Sequence, residues 1–304
     1  MNFDNSTHTV KKRIFKGPKG GEITVNNVKG YYFMEHVQDP EQRVKDIELF
    51  KALSDDVLIC SYPKSGLHWV WEIVTMLRRE DRTSSSHLME GSLIDFVSAN
   101  QIEARKSPRT LTTHIPAQML PDSVKKYGCK LILILRDPRA VAVAYYKHYQ
   151  HIKMGHFSGT WEDFLHFFLR GQVAHNSWFD HIKSWEKFIK AGHNNTIHVV
   201  HYEDLKRDPV NEIAKMGTFL GLSKDFEYYA AVAKATNIQN LKSYKGKLGE
   251  KKIGAYFKGQ TYPFFRKGES DDWMNYFTVN QNFIFEDVFK KEMKESSVRL
   301  RSSL

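Results

Sequence analysis

Hydrophobic positions along this chain fall into two patterns: short unbroken runs, and longer stretches in which they recur every three or four residues. Val57-Leu58-Ile59-Cys60 is an unbroken run of the kind carried by a strand buried on both faces of a parallel sheet, and Pro63 ends it. Val70, Ile73, Val74 and Leu77 follow at helical spacing, so Val57 to Arg79 reads as strand, loop, helix. Three more runs behave as strands. Thr110 to Thr113 is β-branched and closes at His114 and Pro116; Lys130 to Leu135 is the clearest buried strand; Ile197 to His201 is the last. Val141, Ala144, Tyr145 and His148 continue helically after the third run, and Thr160 to Lys190 is helical and rich in aromatics. Tyr31 to Phe33 and Val44 to Phe50 predict a segment packed over the core. The order predicts an α/β fold: one domain with a central parallel sheet flanked by helices.

The four runs end at Tyr62, His114, Arg136 and Tyr202, which parallel strands would deliver to one edge, where ligands of open parallel sheets sit. The first loop lies at a helix N-terminus. Free amides and the positive end of the macrodipole favour an anion there, and Lys64 adds a full charge. The loop is P-loop-like without being the Walker pattern, since it carries a single glycine, Gly66.

Composition narrows the picture modestly. The 304 residues carry a formal charge of +10, which favours anionic partners, yet the lysines are scattered and no nucleic-acid fold signature appears, so nucleic acid is not expected. No apolar run approaches the ~18 residues needed to span a bilayer. The start, MNFDNSTHTVKKR, lacks the apolar region of a secretory signal, so a cytoplasmic location and no membrane contact are expected. Cys60 and Cys129 border apolar runs and read as reduced core residues. Residues 1–25, polar and broken by Gly17-Pro18 and Gly20-Gly21, are expected to form a loose or edge-strand lead-in, 26–295 the domain, and 296–304 a frayed tail.

The motifs together resemble the cytosolic sulfotransferases. Tyr62-Pro63-Lys64-Ser65-Gly66-Leu67-His68-Trp69 is similar to that family's Y-P-K-S-G-T-T/H-W loop, and Thr112-Thr113-His114-Ile115-Pro116 to its K-T-H-L-P. Arg136 to Tyr146 resembles R-N-x-x-D-V-A-V-S-Y-Y, Tyr202 to Leu205 resembles Y-E-D-L/M, Thr236-Asn237-Ile238 sits where the family has T-S-F, and Phe264 to Gly268 matches F-x-R-K-G. The resemblance spans Tyr62 to Val279. It implies transfer of a sulfonate from 3′-phosphoadenosine 5′-phosphosulfate (PAPS) to a hydroxyl or amine of a small lipophilic acceptor, with no metal. His114 is then the general base, and Lys64 stabilises the leaving phosphate with the amides from Gly66 to Trp69. Arg136, Phe265, Arg266, Lys267 and Gly268 hold the 3′-phosphate region. Tyr202, Thr236 and Ile238 touch the rest of the nucleotide, with Ser65, Leu67 and His68 completing the loop. A guanidinium suits phosphate because its fixed fork gives paired, charge-assisted hydrogen bonds. Phe33, Phe96, Thr112, His114 and His148 are the acceptor-side candidates. Lys242 to Gly259, rich in lysine and glycine, reads as either a mobile lid or a solvated loop.

Departures from the family pattern are specific. Leu67 and Ala144 replace hydroxyl residues, Thr112 replaces a lysine, Ile238 a phenylalanine, and Asp271 a glycine. Each removes a contact or places a negative charge near the nucleotide, so a non-catalytic module binding nucleotide or lipophile is the alternative. A phosphate-loop kinase is a third reading, since Leu131 to Leu135 followed by Asp137 imitates a magnesium-binding strand end. The family's dimerisation motif K-x-x-x-T-V-x-x-x-E survives only as Thr278-Val279, which predicts a monomer or a differently contacted dimer.

Overall fold

The computed structural model describes residues 10–153, 156–254, 257–258, 271–299 and 301. Among these described residues, eight strands fall into two sheets. β1 (Lys11–Lys16), β2 (Glu22–Val28) and β3 (Tyr31–Met34) form an antiparallel sheet. β4 (Val57–Ser61), β5 (Thr110–Thr113) and β6 (Lys130–Leu135) belong to the second sheet. The short β7 (Phe157–Ser158) pairs with β2, and β8 (Ile197–His201) completes the second sheet, which is parallel throughout with order β5-β4-β6-β8.

The parallel strands are apolar without alternation because both faces are covered. Val57 and Ile59 of β4, with Ile132 and Ile134 of β6, pack against Val70, Ile73, Val74 and Leu77 of the helix Leu67–Arg79, and against Ile213, Met216 and Val232 beyond it. The intervening residues Leu58, Cys60, Leu131 and Leu133 face the larger core, built around Tyr62, Tyr145, Phe164, Phe168, Trp178 and Trp185. Alternate side chains of one strand thus serve two cores. Cys60 and Cys129 are buried free thiols.

β2 crosses position 25 and buries Ile23 and Val25 completely, so the packed fold begins before residue 26. The exposed part is β1, whose Lys11, Lys12, Arg13 and Lys16 charge an edge strand against further pairing. At the other end Ser296 is buried and Ser297 donates its backbone N–H to Glu186 at 2.6 Å, so the first tail residues are tied down. Within Lys242 to Gly259, read as a lid or a solvated loop, residues Lys242 to Ile253 are the body of a helix, Ile238–Ile253. Glycine and lysine there mislead locally. Lys245 is buried, 2.8 Å from the Glu72 carboxylate, and donates to the carbonyls of Ser85 (2.6 Å) and His87 (2.7 Å), while Leu241 packs with Leu88, Ile152 and Phe257. Tertiary contacts outweigh a glycine penalty of ~1 kcal/mol per residue. Among the described residues, no helix is long and apolar enough to cross a membrane.

Candidate active site

The registers of the parallel sheet bring the ends of its four strands together. Cys60 pairs with Thr113, Ser61 with Ile134, and Leu135 with His201, so Lys64, His114, Arg136 and Tyr202 all follow on one edge. They border a cavity of about 890 Å³. The loop after β4 turns through two left-handed residues, Lys64 (φ 69°) and Gly66 (φ 106°). Glycine is required at 66 twice over: for the backbone angle, and because a Cβ there would lie 2.8 Å from Cδ2 of Tyr202. The helix Leu67–Arg79 therefore starts at a residue without a side-chain cap, and of its first-turn amides Trp69 N–H donates to the Gly66 carbonyl at 3.0 Å.

Arg136 is buried beside this loop. Its Nη1 donates to the Lys64 carbonyl at 2.7 Å, and its guanidinium lies 4.1 Å from the centre of the Tyr202 ring. Tyr202 in turn meets Trp69 edge-on at 5.6 Å. Part of the Arg136 fork thus holds the loop's shape, and Glu203 anchors the next residue by accepting the Asp137 N–H at 2.9 Å. Thr236 and Ile238 reach the same cavity from the start of the helix Ile238–Ile253, whose Leu241, Gly246 and Glu250 line it further along.

His114 stands at the other side. Its Nδ1 is 2.8 Å from the Ser61 carbonyl, which can only accept, so Nδ1 carries the proton and Nε2 keeps its lone pair. Burial pushes its pKa down to about 4, opposed by the Ser61 hydrogen bond and assisted by His68 and Lys64. Asp95 accepts the His114 backbone N–H at 3.2 Å, and burial pushes its carboxyl up to about 6 against the hydrogen bonds it accepts. His68 Nε2 lies 3.1 Å from Glu90. Phe33, His148 and the half-exposed Phe96 line the cavity, and burial drives His148 well below the usual histidine range.

Two expected site residues lie outside the cavity lining. Thr112 is fully buried with Oγ1 3.1 Å from the sulfur of Met89, so it does not border the cavity. Ser65 is buried outside the lining, its Oγ lacking a hydrogen-bond partner among the described residues. Phe265, Arg266, Lys267 and Gly268 lie outside the described residues. Leu67, His68, Trp69 and Ala144 line the cavity. Asp95, Glu90, His175 and Trp273 also line it and carried no motif signal. The run of β-branched residues before His114 pointed to the histidine, but nothing local pointed to the carboxylate beside it.

A sulfotransferase domain model matches residues 54–297. The chain belongs to the sulfotransferase family. Sulfotransferase 1C2 of Rattus norvegicus is 34% identical over 264 residues, 83% of this chain and 88% of that protein. Among solved structures, mouse sulfotransferase SULT7A1 complexed with PAP superposes with a TM-score of 0.73 at 28% identity, covering 94% of this sulfotransferase and 96% of the mouse chain. Retinol dehydratase in a complex with retinol and PAP has a TM-score of 0.73 at 20% identity, covering 96% and 93%, and shows the fold alone.

Proposed function

We propose that this sulfotransferase moves a sulfonate group from PAPS to a hydroxyl or amine of a small lipophilic acceptor, with His114 as general base and Lys64 stabilising the leaving phosphate. The observation that carries the reading is His114 itself: an imidazole held in one tautomer by Ser61, neutral near pH 7, its free lone pair at the strand edge beside the Lys64 loop. The donor set suits a multiply charged nucleotide. The uncapped helix start, Lys64 and Arg136 supply positive potential, the glycine-only turn lets backbone approach a phosphate, and the Tyr202 and Trp69 rings provide flat apolar surface for a base.

PAPS supplies an electrophilic sulfonyl group whose departure leaves charge on phosphate. Lys64 and the loop amides from Gly66 to His68 meet that charge, the Trp69 N–H being taken by the Gly66 carbonyl. His114 Nε2 takes the acceptor's proton as the new bond to sulfur forms. A base of pKa about 4 is weak at neutral pH, but nearby negative charge favours the imidazolium, so His114 is expected to move back toward its ordinary range when an anionic donor is bound. Phe33, Phe96 and the aromatic wall favour a lipophilic body on the acceptor.

The test pairs calorimetric titration with adenosine 3′,5′-bisphosphate and turnover with a radiolabelled sulfonate donor. In His114→Ala, turnover is expected to vanish while nucleotide binding persists. Retained turnover would remove His114 from the role, and absence of nucleotide binding in the unaltered protein would overturn the donor assignment.

A further inference from the structure

The segment between the helices Trp161–Leu169 and Trp178–Lys190 holds two consecutive non-glycine residues in the left-handed region, His175 (φ 65°) and Asn176 (φ 59°). Such a pair persists only where its surroundings over-determine it. Here they do. His175 N–H donates to the Tyr32 carbonyl at 2.7 Å, Asn176 Oδ1 accepts the Tyr32 N–H at 2.7 Å, and Asn176 Nδ2 donates to the Gly30 carbonyl at 2.8 Å. The hydroxyls of Tyr62 and Tyr145 donate to the carbonyls of Asn176 (2.8 Å) and Ala174 (3.0 Å). The result is a histidine ring set into the cavity wall, 5.3 Å from the His114 ring and steeply inclined to it at 71°.

The Tyr31 hydroxyl lies 2.6 Å from Nδ1 of His175. Tyr31 is buried, and burial together with the nearby Asp95 keeps its phenol protonated. Were Nδ1 to carry the imidazole proton, the phenol oxygen would accept it and the phenol's own O–H would be buried with no acceptor among the described residues. Both groups are satisfied only if the phenol donates to Nδ1. The imidazole, held neutral by burial, then carries its proton on Nε2. The two rings are therefore complementary: Nε2 of His114 accepts, and Nε2–H of His175 donates.

We propose that His175, oriented by Tyr31, is a specificity-determining residue that donates a hydrogen bond to the acceptor's nucleophilic atom and so selects hydroxyls over amines. This rests on the reading of His114 as base. A hydroxyl oxygen has one proton and two lone pairs. The proton goes to His114 Nε2, one lone pair accepts from His175, and the other forms the bond to sulfur as the bond between sulfur and the donor's phosphate oxygen breaks, its electron pair leaving with phosphate. A neutral amine has a single lone pair, which cannot accept from His175 and attack sulfur together. Thr112, turned toward Met89, supplies no cation beside His114, so His175 is the donor that neighbours the base.

The test uses a matched pair, 2-naphthol and 2-naphthylamine, on the full chain. Unaltered protein is expected to favour the naphthol at least about tenfold in kcat/KM, as one hydrogen bond to a developing charge is worth. His175→Phe should lower the naphthol value about ten- to hundredfold, lower the naphthylamine value far less, and so collapse the preference. His175→Gln, which restores an N–H, should recover part of it. Tyr31→Phe leaves the left-handed backbone alone and should shift the preference the same way by less. Parallel losses for both acceptors, or no preference in the unaltered protein, would overturn the proposal. A binding arm separates it from the base assignment: with adenosine 3′,5′-bisphosphate present, His175→Phe should weaken naphthol binding even if naphthol is not turned over. Retained turnover in His114→Ala sinks the base reading, and unchanged naphthol binding in His175→Phe sinks this one.

Discussion

His181 offers a clean measurement of how burial acts on a titratable group in this fold. It is 2% exposed, its ring faces Tyr62 at 5.5 Å and Trp185 at 6.4 Å, and neither ring nitrogen has a hydrogen-bond partner among the described residues. Burial, helped by His114, pushes its pKa from 6.5 down to about 3. The folded pKa lies below the unfolded one, so the unfolded chain binds the proton more readily. Stability is then greatest above about pH 6.5 and falls as pH drops toward 3. At pH 5, roughly 1.5 units below the unfolded pKa, the loss is about 2 kcal/mol at 1.36 kcal/mol per unit. His181→Phe removes the titration and keeps a flat ring between the same neighbours. Whatever packing strain the phenyl adds is the same at every pH, and removing two unsatisfied nitrogens contributes about 1–3 kcal/mol in its favour. Urea unfolding at pH 8 and pH 5 isolates the linkage. The stability difference between variant and unaltered protein should shift by about 2 kcal/mol toward the variant at pH 5. An identical difference at both pH values, or a variant more sensitive to acid, would refute the assignment of His181 as buried and neutral.

Two further outcomes follow from single contacts. Lys245→Met leaves Glu72 as an uncompensated buried charge, which should cost about 3–5 kcal/mol in urea unfolding, and adding Glu72→Leu should restore most of it; equal stability of the two variants would show that the pair does not tie the helix Ile238–Ile253 to its neighbours. Gly66→Ala should lower affinity for adenosine 3′,5′-bisphosphate at least about tenfold by calorimetry, because the new methyl meets the Tyr202 ring at a left-handed position. Unchanged affinity would separate the glycine turn from nucleotide binding.

Much of the architecture was legible from the residues because each parallel strand is an unbroken apolar run ended by a polar or proline residue. Val57 to Cys60 and Lys130 to Leu135 could hardly be anything else, and once strands are parallel their following residues must share an edge. Lys64, His114, Arg136 and Tyr202 were placed on that edge in this way. Thr112 was misplaced although it lies only two residues from His114, since what covers a strand side chain depends on a distant segment, here Met89. Lys242 to Gly259, most of which falls in the helix Ile238–Ile253, was read as a lid or a loop because glycine and lysine locally oppose helix. The helix's reason to form lies in Glu72, Ser85 and Leu88, more than 150 residues away in the chain.

The same division holds within the site. Sequence alone carried residue types suited to binding anions and moving protons, because that suitability is a property of the side chains at strand ends. Tertiary structure alone decided how they are used. The tautomer of His114 is set by a carbonyl on the neighbouring strand, that of His175 by a tyrosine on the antiparallel sheet, and the left-handed turn at His175 and Asn176 by contacts from Gly30, Tyr32 and Tyr62. Hydrogen-bond direction is a relation between two groups in space, and no single segment of chain contains both.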